Sequence, residues 1–99
     1  MSINDGQLDL QLQEFAKVIS RKSEINHPER LAEALHSILN GDGRSLDIRL
    51  GVATGLTRDE LREEGISLSL LRQIFCRSIP CDRRELYIAG VANQLLVNA

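Results

Sequence analysis

Ninety-nine residues with 42% apolar content make one globular domain, residues 1–99, with room for a single core. The net charge of −2, from 12 basic and 14 acidic residues with no long run of one sign, argues against the basic stripe of a nucleic-acid binder and against an acidic mimic of nucleic acid. Aromatics are confined to Phe15, Phe75 and Tyr87, so the core must be built from Leu, Ile, Val and Ala, which suits helices and disfavours stacking on bases.

The first predicted helix spans residues 7–22. Leu8, Leu12, Phe15, Ala16 and Ile19 recur at helical spacing, while Gln11, Gln13, Glu14, Lys17 and Arg21 mostly line the other face. Asp5 is its expected cap, and Arg21 with Lys22 suits the negative end of the helix dipole. A polar linker, residues 23–26, leads to His27-Pro28, where proline opens a second helix at little cost because its missing N–H would be unpaired there. Leu31, Ala34, Leu35 and Ile38 form the stripe of that helix, and Asn40-Gly41 closes it. Residues 41–44, Gly-Asp-Gly-Arg, read as a turn. A calcium loop is disfavoured because no ring of Asp or Asn ligands precedes it and no bidentate Glu follows.

Residues 46–52 fit two readings. Their strict alternation matches a strand, which would need a partner, best found around 86–91. They also fit a short helix capped by Ser45 and running to Thr54, which the helical surroundings favour. Thr57 then begins a short helix with a capping box to Glu60, Gly65 ends it, and Ser67 or Ser69 caps a further helix that turns Leu71, Ile74 and Phe75 inward. Pro80 stops that helix. Asp82 is expected to start the last one through a second capping box to Glu85. The last helix carries Leu86, Ile88, Ala89, Val91, Ala92, Leu95 and Leu96 most of the way round its surface, which predicts a central position or a shared one.

Residues 57–76 resemble a helix-turn-helix, the unit that often places its second helix in the major groove. The resemblance implies outward-facing Ser67, Ser69, Arg72, Gln73 and Arg77, of which Arg and Gln can bond guanine and adenine edges. The chain departs from that pattern at Leu61, where a small residue is usual, and at Glu60 and Glu64, where apolar residues are usual. Asp59, Glu60, Glu63 and Glu64 would also repel phosphate. Arg77, Arg83 and Arg84 form a local basic cluster. Helix capping and surface solvation are its simpler uses, and docking of an acidic partner or a phosphate backbone is the other.

No constellation joins a nucleophile, a base and an orienting group, so an enzyme is not expected. Glu63-Glu64, beside Arg58 and Arg62, reads as a solvated face with helical ion pairs. Cys76 and Cys81 lack zinc-site spacing and make no Cys-x-x-Cys motif, and His27 and His36 lie far back in the sequence. One buried and one loop thiol are therefore expected, with no metal and no cofactor. Residues 1–6 carry no signal-peptide pattern, and no apolar run approaches membrane-spanning length, so a cytoplasmic protein with reduced thiols is expected.

The expectation is an all-α, compact bundle of five to six short helices, with a small two-stranded element at 46–52 and 86–91 as the alternative. In function it is a small soluble regulatory or adaptor protein that binds protein, itself included, with Ile88, Val91, Leu95 and Leu96 at the self-contact. A helix-turn-helix DNA-binding regulator using 57–76 is the alternative.

Overall fold

The computed structural model describes residues 5–40 and 44–97. Six α-helices follow one another: α1 (Asp5–Lys22), α2 (Pro28–Leu39), α3 (Leu46–Thr54), α4 (Arg58–Glu63), α5 (Leu68–Ser78) and α6 (Arg84–Leu96), with a 3-10 turn (Cys81–Arg83) before the last. No strand occurs among the described residues, so the two-stranded alternative is overturned. Burial explains why. In a strand, residues 46, 48, 50 and 52 would share one face. Instead Leu46 and Leu50, one helical turn apart, are buried, while Ile48 and Val52 stand 68% and 84% exposed.

The helical stripes of α1 and α2 behave as their spacing predicts. Leu8, Leu12, Phe15, Ala16 and Ile19 are all buried, as are Leu31, Ala34, Leu35 and Ile38. α2 and α6 form the most extensive helix pair, and α1 packs against α6, α5 and α2. The Phe75 and Tyr87 rings meet at 6.2 Å, tilted by 57°. The Tyr87 hydroxyl donates to the Asp9 carboxylate, tying α6 to α1. No buried residue among those described is polar or charged. The core is held by apolar burial, worth about 25 cal/mol per Å² removed from water.

Helix ends differ in what closes them. α1 ends with Glu24 in the left-handed region at φ 56, and the Ile25 N–H reaches back to the Ser20 carbonyl at 3.0 Å. That is the six-to-one bond of a Schellman end, made here without glycine. α2 opens on Pro28 after an extended His27. Asn40 is its C-cap, and Gly41 lies outside the described residues, as does most of the turn expected at 41–44. The cap expected from the Asp5 side chain also lies outside what is described. Ser45 precedes α3 but makes no side-chain cap; its hydroxyl accepts from Arg49 Nη1 at 3.0 Å instead.

The start of α6 corrects the expectation of a capping box from Asp82 to Glu85. The chain leaves Pro80 in a 3-10 turn, with the Arg83 N–H bonded to the Pro80 carbonyl at 2.9 Å. The cap position of α6 therefore falls on Arg83, which has no capping oxygen. Among the described residues no helix is long and apolar enough to cross a membrane.

Candidate functional site

The helix–turn–helix corner is built from local signals. The Thr57 hydroxyl accepts from the Glu60 N–H at 3.3 Å, and Glu60 Oε1 accepts from the Thr57 N–H at 3.1 Å, so the capping box forms as expected. At the other end the Gly65 N–H bonds the Arg62 carbonyl at 3.0 Å and the Ile66 N–H bonds the Leu61 carbonyl at 2.9 Å. Together these two bonds make a Schellman motif around Gly65, whose φ of 83 favours glycine. Leu61 and Ile66 are the apolar pair that accompanies such a motif, and both lie in the core. Leu61 is wholly buried, where a DNA-reading corner usually takes a small residue.

The candidate contact residues other than Arg84 divide into two groups. Ser67, Gln73, Arg77 and Arg83 are exposed. Arg72 is half-buried and has a partner of its own. Arg72 and Arg77 stand five residues apart on one helix, so they diverge by about 140° around its axis. Ser69 is half-buried, and its hydroxyl accepts from Arg58 Nη1 at 2.6 Å while Arg58 Nε holds Asp47 at 2.7 Å. Arg58 thus joins α3, α4 and α5.

Arg84 is a correction to the candidate contact set. Its Nε donates to the Ile79 carbonyl at 2.9 Å, its Nη2 to the Cys76 carbonyl at 2.9 Å, and its Nη1 to Asn40 Oδ1 at 3.0 Å. The planar fork of the guanidinium closes the last carbonyls of α5 and binds the end of α2. Helix capping, the simpler of the two uses read from the basic cluster, is what this residue does.

The carboxylates of the corner are also partly spent. Glu64 lies 2.7 Å from Arg21 and 3.5 Å from Lys22, and Asp59 lies 3.5 Å from Arg62. Glu64 is thus tied to the end of α1, while Glu63 stays exposed as the solvated-face reading expects.

The last helix changes the expected self-contact. Ile88 is 0% and Val91 6% exposed, so both are consumed in the chain's own core, and Leu95 and Leu96 are half-buried against it. α2 and α1 cover the side of the helix that carries Ile88, Val91 and Ala92, while Leu86 stays 77% exposed. Neither Ile88 nor Val91 is available to a second chain without unfolding.

A different apolar feature is left open. Leu10 on α1 and Leu70 on α5 are 62% and 52% exposed and flank one groove of about 260 Å³, floored by Ile66 and Leu71. Sequence reasoning missed both residues. The available signal was a large apolar side chain off the buried stripe: Leu10 falls opposite Leu8, Leu12 and Phe15, and Leu70 opposite the line of Leu68 and Leu71 into the core.

Cys76 is half-buried with its thiol 3.5 Å from the Leu39 carbonyl, and Cys81 is exposed in the 3-10 turn; both are free. His27 is exposed at the start of α2 and His36 is half-buried near its end. Among the described residues no group of three or more His, Cys, Asp or Glu side chains is placed to hold a metal ion. No protein-family model, curated protein or solved structure matches the chain.

Proposed function

We propose that the protein is a cytoplasmic adaptor or regulatory domain that works by protein–protein contact and associates with its own kind. The observation that carries this reading is the α1–α5 groove with Leu10 and Leu70 on its two walls. Large apolar side chains gathered at one groove mark contact surfaces more often than isolated ones do. A two-fold contact needs a patch that supplies both knob and hole, and this groove has both: two projecting leucines and an apolar floor between them. Two free thiols, one of them exposed, suit a reducing compartment.

Sedimentation at micromolar concentration tests the reading. The expected species has twice the chain mass of 11.1 kDa. Leu10→Glu combined with Leu70→Glu should convert it to a monomer of unchanged helicity, because a charge is costly in a dry contact. A wild-type monomer at every concentration would overturn self-association.

The DNA-reading alternative keeps one favourable observation, the exposure of Gln73 and Arg77 on one face of α5. It loses Arg84 and Ser69 to internal bonds. Titration of pooled random duplexes at low salt separates the two readings, since phosphate-driven binding is strongest there. The expected result is a flat anisotropy signal, unchanged by Arg72→Ala or Arg77→Ala. Sub-micromolar binding abolished by either substitution would reverse the ranking.

A further inference from the structure

α2 and α6 meet along a second trough, chemically unlike the first. The Arg84–Asn40 bond sets the start of α6 against the end of α2, so the two helices run antiparallel. The trough between them holds about 260 Å³. Ala32 from α2 and Ala89 from α6 line it with small, half-buried side chains. Glu29, Glu33 and Glu85 line it too, all exposed, and His36 lies beside them. These three carboxylates make no ion pair among the described residues, whereas Asp47, Asp59 and Glu64 each hold an arginine. Like charges around an apolar, low-dielectric floor concentrate negative potential in the cleft.

We propose that this trough is the docking site for a basic amphipathic helix of a partner protein, one with lysines or arginines flanking a stripe of small apolar residues. Charge selects the occupant: a phosphate backbone or an acidic segment is repelled, and a cationic one gains the unpaired carboxylates. Shape selects its backbone. From Glu29 to His36 the trough runs two helical turns, about 10 Å. The small alanine side chains leave room for a third helix to approach to the roughly 8–10 Å axis separation typical of packed helices. An extended peptide would find no sheet edge among the described residues to complete its backbone hydrogen bonds, whereas a helix brings its own. The inference rests on the protein-binding reading but uses a face apart from the α1–α5 groove, so failure of either leaves the other standing.

The test is a titration of the full chain with a fluorescent, lysine-rich amphipathic helix carrying an Ala/Leu face, beside the same peptide with every lysine replaced by glutamate. The lysine peptide should bind and the glutamate peptide should not. The triple variant Glu29→Gln, Glu33→Gln, Glu85→Gln should weaken binding at least about tenfold, as expected when several charge contacts are lost. A charge-matched control, Glu14→Gln, Asp59→Asn, Glu63→Gln, should leave affinity within about twofold. Ala89→Phe, which fills the floor without changing charge, should also weaken binding. Amide chemical shifts of the unaltered chain should move along α2 and α6, which answers the question even if a variant folds poorly. Equal loss in the control variant, equal binding of the acidic peptide, or shifts confined to other helices would overturn the proposal. So would loss of self-association, without peptide binding, in the triple variant, which would give the trough to a second copy.

Discussion

The two corners on either side of α5 are closed in opposite ways. Between α4 and α5 the chain turns on its own backbone: Gly65 takes the left-handed conformation, two short-range N–H to carbonyl bonds close the helix end, and Leu61 meets Ile66 beneath. Between α5 and α6 no glycine stands and the 3-10 turn leaves carbonyls over. A side chain completes that corner. Arg84 reaches back to Cys76 and Ile79 and across to Asn40, so the end of α5 depends on a residue from the next helix and on one from α2. The first corner is local and cheap to form. The second forms only when three elements are already in place.

The comparison can be broken by substitution, with urea unfolding as the common measurement. The largest loss is expected from Leu61→Ala, about 3 kcal/mol, because a wholly buried leucine leaves both lost transfer energy and a cavity. Next comes Arg84→Ala. Three charge-assisted bonds disappear and carbonyls at the end of α5 lose their donors, which should cost about 2 kcal/mol. Arg84→Lys should recover less than half of that, since an ammonium cannot span the fork. Full recovery by lysine would show that charge at the helix end, not the fork, closes the corner. The smallest effect is expected from Gly65→Ala. A Cβ there meets nothing within 4 Å, so only the backbone conformation at φ 83 resists it, at about 1 kcal/mol. If Gly65→Ala costs more than Arg84→Ala, the local corner is the stronger constraint and the contrast is inverted.

The same division runs through the candidate surfaces. The capping box at Thr57 and the turn at Gly65 were legible because their partners lie within five residues. The expected box from Asp82 to Glu85 had the same residue types and did not form, because Pro80 starts a 3-10 turn that shifts the helix start to Arg84. Arg84 looked like one member of a basic cluster, and nothing local distinguishes it from Arg83, which is exposed. Leu10 and Leu70 were readable only as misfits to an apolar stripe, and their meeting at one groove depends on how α1 packs against α5.

Sequence by itself determined the helical class, the buried faces of α1 and α2, and the ends where a cap or a left-handed glycine acts within a turn or two. Those features follow from residue spacing and short-range hydrogen bonds, which need no distant partner. Tertiary structure alone decided that Ile88 and Val91 are spent inside the chain, that Arg84 is a clamp, and that Glu29, Glu33 and Glu85 share one trough. The pattern of α6 is apolar nearly all round and cannot say which side faces its own core. That depends on which helices cover it, and burial is settled by packing between elements far apart in the chain.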